Sequence, residues 1–334
     1  MKIAYPHTQI EMLHRILLFF AIALLFASPG FAGDNTPKIA PTVADVAYGA
    51  DPQQTLDVYV PASGHGPFPI LFWIHGGGWY SGDKRRDCAN VVPYLDHGCA
   101  VVSINYRLIG QARSQKISPP VASVLGDNRR ALQFVRLHAA EWNLDPGKIV
   151  VAGGSAGAVS ALYLGCEGEQ ANPQSADPVE RVSTKVLGVF TEGAQASLDP
   201  QRIHEWVPGC AYAYWSFESE GPTLFNNAGL PFFNKFLADR AKWLPEIQKY
   251  SPDWLLTSDA PPIYFSFGLL LPAPNTTPWP SSDALVHCPL WGVGFQKLAQ
   301  EKGVACYVQY PGHPAEKYHG GVDFVLQQLG IGAK

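Results

Sequence analysis

Charge is scarce in this chain: only 16% of the 334 residues are Asp, Glu, Lys or Arg, and the formal net charge is -4. There is no basic surplus to neutralise phosphates, which argues against a nucleic-acid partner. Long apolar runs are missing as well. The run Ile16 to Phe26 holds about 11 residues, too few to span the roughly 30 Å of membrane hydrocarbon. No Cys-x-x-Cys and no Cys/His metal spacing occurs, so no metal site is expected. Internal repeats are absent. The 32 glycines and 29 prolines follow no period and read as loop punctuation, not as a collagenous or low-complexity chain.

What is present begins with an N-terminal element of its own. Lys2, His14 and Arg15 precede the short apolar run, and the small-residue stretch Ala27-Ser28-Pro29-Gly30-Phe31-Ala32 follows it. A basic segment, a short apolar segment and a small-residue cleavage site make residues 1–32 a signal peptide. The rest is expected to be exported to the periplasm or beyond, with no stable membrane insertion. Export makes disulfides possible among the six cysteines. Cys99 and Cys306 lie in apolar runs and read as small hydrophobes. One or two bridges are open among Cys88, Cys166, Cys210 and Cys288.

Residues 33–334, with a chain that is 47% hydrophobic overall, suffice for one large α/β domain. Thr55 to Val60 alternates as an antiparallel strand does. The stretches 69–74 (PILFWI), 99–104 (CAVVSI) and 148–152 (KIVVA) are continuous apolar runs, as strands covered on both faces are. Later runs at 185–190, 262–267 and 305–310 look similar. Asp127 to Trp142 has helical spacing, stopped by Leu144-Asp145-Pro146, and a second helix is predicted over 290–302. Strand, helix, strand in this rhythm predicts a mostly parallel sheet wound with helices. The stretch of about 194–260 breaks the rhythm and is rich in Trp and Phe. It reads as an excursion, either a lid or pocket wall or ordinary helices over a sheet face.

Two motifs carry chemistry. Gly153-Gly154-Ser155-Ala156-Gly157 follows a strand and opens a small-residue helix. A turn this sharp has no room for Cβ atoms at Gly153 and Gly157, and it presents the Ser155 hydroxyl at a helix N-terminus that favours developing negative charge. His75-Gly76-Gly77-Gly78-Trp79 follows the strand PILFWI. Its glycines let backbone N–H groups approach a ligand closely, so Gly77 and Gly78, with Ala156 after the nucleophile, are predicted to form an oxyanion hole. His75 reads as a brace for this loop.

The segments "WIHGGGWYSGD", "VVSINYRL", "DNRRALQFVRLHAAEWNLDPGKIVVAGGSAGA" and "SDAPPIYFSFG" resemble the α/β-hydrolases of the hormone-sensitive-lipase group. The feruloyl and acetyl-xylan-esterase-like enzymes labelled BD-FAE are the subgroup most similar. The resemblance is close over about 45–165, looser over 255–330, and does not cover the excursion. It implies an α/β-hydrolase fold and carboxyl-ester hydrolysis by a Ser-His-Asp triad without a cofactor. The acid precedes the base in such chains. Asp283, opening "DALVHCPLWGVGFQKLAQEKG", fits the acid. Asp259 precedes its strand and fits poorly. The loop before Asp283 is enlarged and rich in proline. For the base, His319-Gly320 before a terminal helix matches the family's dipeptide, with His313 as the alternative.

The expected activity is an exported serine carboxylesterase acting on small acyl, carbohydrate or phenolic esters. A serine peptidase or amidase, and an inactive hydrolase fold serving as a binding module, are the rival readings.

Overall fold

A computed structural model describes residues 39–85, 91–218, 227–271 and 282–332. The expected signal peptide, Cys88 and part of the excursion lie outside the described residues. The element order is β1 (Val43–Ala47), β2 (Thr55–Tyr59), β3 (Phe68–Ile74), α1 (Val92–Leu95), β4 (Ala100–Ile104), α2 (Ile109–Ser114), α3 (Val121–His138), β5 (Leu144–Gly154) and α4 (Ala156–Cys166). It continues with β6 (Gly188–Glu192), α5 (Pro200–Trp206), α6 (Tyr214–Phe217), α7 (Leu230–Ala238), α8 (Arg240–Tyr250), α9 (Pro252–Leu255) and β7 (Ile263–Ser266). Last come α10 (Ser282–Val286), α11 (Leu290–Glu301), β8 (Cys306–Gln309) and α12 (Gly321–Gln328).

The strands form one eight-stranded sheet in the order β1-β2-β4-β3-β5-β6-β7-β8. β1 and β2 run antiparallel to their neighbours, and β3 to β8 are parallel. The continuous apolar runs become these parallel strands because both faces are covered. Along β3, Ile70, Phe72 and Ile74 enter one core, and Leu71 enters the other. Along β5, Ile149 and Val151 face the first core, and Val150 and Ala152 the second. This period of two is the strand's own geometry, and hydrophobic burial on both sides holds the layers together.

Helices α3 and α4 cover the first face, and α1 and α12 the second. The helix predicted from Asp127 starts earlier, at Val121. Ser123 and Gly126 dilute its pattern there, yet Val121, Val124 and Leu125 are buried. In the excursion, α9 packs on α4 and α8 on α3. Trp215, Phe217, Phe233 and Phe236 are buried, so these aromatic side chains are core rather than an exposed stacking surface. Among the described cysteines, Cys99, Cys166, Cys210, Cys288 and Cys306 are free thiols. No described helix is long and apolar enough to cross a membrane.

Buried ion pairs tie the sheet to the loop that follows β3. Asp57, on β2, is fully buried. Its carboxylate accepts from Arg85 Nε at 2.7 Å and lies 3.5 Å from the Lys84 ammonium, itself buried. Removing one partner of such a pair strands the other charge, at a cost of about 3–5 kcal/mol. Lys84 and Arg85 also pair with Asp45 on β1, so Asp57→Ala is expected to destabilise the fold by less than that amount in urea denaturation, with both cations then held to the sheet by Asp45 alone.

Glu167 at the C-terminal end of α4 is also buried, 3.3 Å from Arg129. Burial raises its carboxyl to about 7, partly opposed by Arg129. The native state then keeps a proton that the unfolded chain loses between about pH 4.5 and 7, so stability falls as pH rises through that window. Each pH unit is worth about 1.4 kcal/mol. Glu167→Gln is expected to flatten the decline between pH 4.5 and 7, seen as denaturation midpoints across pH.

Candidate active site

Ser155 joins β5 to α4 at φ 50° and ψ -120°. A non-glycine residue rarely adopts such a backbone, and it persists only where its surroundings enforce it. Those surroundings are visible. The Ser155 N–H donates to the Glu192 carbonyl at 2.7 Å, anchoring the turn to the end of β6. A Cβ at Gly153 would lie 2.5 Å from Gly157 backbone atoms and 2.7 Å from the Ile74 carbonyl oxygen. One at Gly157 would lie 2.1 Å from the Ile74 oxygen and 2.5 Å from the His75 oxygen. The two glycines thus admit a close approach of β3, β5 and α4. They leave the hydroxyl at the first turn of α4, where the N–H groups have no intrahelical acceptor.

The glycine loop lies against this elbow. A Cβ at Gly76 would meet the Gly154 oxygen at 2.8 Å and Ser155 Cβ at 3.3 Å. Gly77 and Gly78 have φ of 94° and 63°, and Trp79 follows at 62°. The Gly77 carbonyl accepts the N–H groups of Tyr80 and Ser81. Trp79 is fully buried and donates its indole N–H to Ser160 Oγ at 3.1 Å, pinning the loop to α4. His75 stacks on Tyr106 at 4.3 Å, and the Tyr106 hydroxyl donates to the His75 carbonyl at 2.7 Å. His75 thus has bracing contacts on the loop. Gly76 is thus the loop glycine seen against the elbow, and Gly77 and Gly78 follow it after β3, the strand on the other side of β5 from β6.

The histidine beside Ser155 is neither of the two expected from the sequence. Among the described residues one imidazole is hydrogen-bonded to Ser155 Oγ, and it is that of His287, with Nε2 at 2.9 Å. The structure does not bring His319 there. His319 is exposed at the start of α12, and its backbone N–H donates to the Asp323 carboxylate at 2.9 Å. His313, the alternative, is also exposed and stacks on Tyr310 at 4.7 Å. The described contacts that place His287 there are the turn after β6, where Gly193 leaves room for the ring, and the bond from Gln195 to the Val286 carbonyl. The backbone of Asp283 lies in α10, four positions before His287. Its side chain lies outside the described residues. Asp259 is exposed, and Thr257 donates to it.

A signal for His287 was present in "DALVHCPL": a histidine one helical turn after the expected acid keeps the acid-before-base order. The family pattern instead places the base after the last strand, where His313 and His319 stand. On the α12 face of β6 and β7, a cavity of about 200 Å³ is lined by Trp73, Tyr94, Phe190, Glu192 and Ser266. Desolvation raises the Glu192 carboxyl above its ordinary value. Among the described residues, no group of three or more His, Cys, Asp or Glu side chains is arranged to hold a metal ion.

A serine forced into a left-handed backbone between strand and helix, on a sheet that is antiparallel at one edge and parallel elsewhere, defines the α/β-hydrolase fold. The structure superposes on a truncated carbohydrate esterase from gut microbiota with a TM-score of 0.64 and 18% identity, covering 89% of this chain and 99% of that one. It also matches an acetyl ester-xyloside bifunctional hydrolase from Caldicellulosiruptor lactoaceticus at a TM-score of 0.57 and 19% identity, covering 82% and 87%. The BD-FAE family model matches residues 56–264, more than half of the chain, and the chain belongs to that family.

Curated relatives include gut esterase 1 of Caenorhabditis briggsae, 31% identical over 42% of this chain and 26% of its own length. Another is a probable carboxylic ester hydrolase, LipM, of Mycobacterium tuberculosis, 38% identical over 28% of this chain and 20% of its own length. The chain thus spans about a fifth to a quarter of these two relatives.

Gly157→Ala tests the elbow. Its Cβ would be driven into the backbone of β3, so a destabilisation of about 1–3 kcal/mol is expected, together with loss of covalent labelling at Ser155 by a fluorophosphonate.

Proposed function

We propose that the chain is a serine carboxylic ester hydrolase in which Ser155 is the nucleophile and His287 its base. The observation that carries this reading is the 2.9 Å contact between Ser155 Oγ and His287 Nε2 at a strained elbow. Nucleophile and base within hydrogen-bond reach is the signature of an activated serine. Esterase names among the relatives and structural neighbours support the same reaction class.

In the proposed cycle, His287 Nε2 takes the hydroxyl proton as Ser155 Oγ attacks the ester carbonyl carbon. The carbonyl π electrons move onto oxygen, and the N–H groups of Gly77, Gly78 and Ala156 receive the oxyanion. Each such donor is worth about 2.7–4 kcal/mol of barrier. As the tetrahedral adduct collapses, the C–O bond to the alcohol breaks, and His287 returns the proton to the leaving oxygen. Water, deprotonated by His287, then attacks the acyl-enzyme and releases the acid and Ser155. Asp283 is proposed as the acid that orients His287. Asp283 lies on α10 and His287 in the turn directly after it, so the two stand only four positions apart in the chain. Every step is served by side chains and backbone of this chain, and none calls for a cofactor.

The names of the carbohydrate esterase and the acetyl ester-xyloside hydrolase favour small acyl esters of carbohydrates among the possible substrates. Residues 1–32 are proposed to direct export. The N-terminal sequence of the secreted protein, expected to begin at Gly33, checks that reading.

With p-nitrophenyl acetate, the wild type is expected to show burst kinetics from acyl-enzyme accumulation. Ser155→Ala is expected to abolish turnover while the circular dichroism spectrum stays native. Substituting His287 by Ala is expected to lower kcat by about 10²–10⁴-fold, the usual reach of a general base. A Ser155→Ala protein that turns over at the wild-type rate overturns the proposal. An ester panel that includes acetylated xylan and methyl ferulate ranks the substrates.

A further inference from the structure

Gln195 lies three residues beyond the end of β6, and it is buried to 1% exposure. A buried amide has to find partners for its donors and its acceptor. Its nitrogen donates to two backbone carbonyls, that of Gly193 at 3.1 Å and that of Val286. Two carbonyl acceptors on one end of the amide require that end to be nitrogen, so its orientation follows from chemistry. The two carbonyls come from different parts of the chain. Gly193 belongs to the turn after β6, and Val286 ends α10 immediately before His287. Gln195 Oε1 is buried without a partner. That is a destabilising feature which an apolar residue of the same size would avoid.

The same turn touches the imidazole. Gly193 has φ 59°, and a Cβ there would stand 3.3 Å from His287 Cδ2 and 3.7 Å from its Cγ. The Gly193 N–H donates to the Ser266 carbonyl at 2.8 Å, fixing the turn to β7. One short turn therefore contacts the ring at Gly193 and holds the backbone beside it at Gln195. The next strand residue back, Glu192, accepts the Ser155 N–H. Serine and histidine are referred to a single stretch of backbone, 192–195.

We infer that Gln195 is a positioning residue that keeps His287 Nε2 on Ser155 Oγ by strapping Val286 to the turn after β6, an inference that rests on His287 being the base. A base displaced by about 1 Å loses on the order of 10²-fold in rate, so loosening the strap shows in kcat before it shows in substrate binding.

The test is Gln195→Leu, which keeps the volume and removes both donors. The expected result is a kcat lower by about 10–100-fold with KM within about threefold, and fluorophosphonate labelling of Ser155 slowed by a similar factor. In two-bond proton–nitrogen spectra the His287 imidazole signals are expected to shift, while those of His313 and His319 stay in place. A kcat within twofold of wild type, or a loss of kcat with unmoved His287 signals, overturns the inference.

Should Gln195→Leu fail to fold, Gly193→Ala presses a methyl group against the ring from the same turn and is expected to give the same kcat loss and the same spectral shift. An unchanged His287 signal in that variant also overturns it. Failure of the underlying reading looks different: His287→Ala would then keep full activity whatever Gln195 does.

Discussion

Ser155 is held at φ 50° in a backbone region that costs a non-glycine residue about 1–3 kcal/mol, and much of the site is the set of contacts that enforce it. Its N–H is bonded to the end of β6, and its two flanking glycines let β3 and α4 close on the turn. The glycine loop is packed so near that a methyl group on Gly76 would strike the elbow. In return, one hydroxyl stands clear of the sheet at the start of an eleven-residue helix. The large hydrophobic cores on both sheet faces keep β3, β5 and β6 rigid enough to maintain that strain.

The polar framework serves the same end. The loop carrying Gly77 and Gly78 is fastened at three points: His75 on Tyr106, Trp79 on Ser160, and Lys84 with Arg85 on buried Asp57. Donors that stabilise an oxyanion are effective when they do not have to reorganise. A glycine-rich loop would be free to do so without these anchors. Substrate preference is a separate matter from this chemistry. Trp73, Tyr94 and Phe190 line a cavity beside Glu192, at the end of the strand whose carbonyl accepts the Ser155 N–H.

The sheet was readable in the sequence because its parallel strands must be apolar on both faces. PILFWI, CAVVSI and KIVVA announce themselves for that reason. β1, whose residues are half-buried or exposed, carries no such signal. The elbow and the glycine loop were legible because steric crowding admits only glycine there. The histidine was not. Nothing local distinguishes an imidazole that reaches across the fold from one that stays in solvent, and His319-Gly320 looks like a better motif than His287-Cys288. What brings His287 to Ser155 is tertiary: the room left by Gly193 and the bond from Gln195 to Val286. The aromatic residues of the excursion show the same limit, since composition alone does not tell a stacking surface from the core that Trp215 and Phe236 occupy.

The central claim is that His287 activates Ser155, and the most direct measurement is the rate of fluorophosphonate labelling at Ser155, followed by mass spectrometry, in His287→Ala, His313→Ala and His319→Ala proteins side by side. The account predicts labelling slowed by at least about 10²-fold in the first and rates near wild type in the other two. Wild-type labelling without the His287 imidazole, with loss in the His319 or His313 variant, would contradict it.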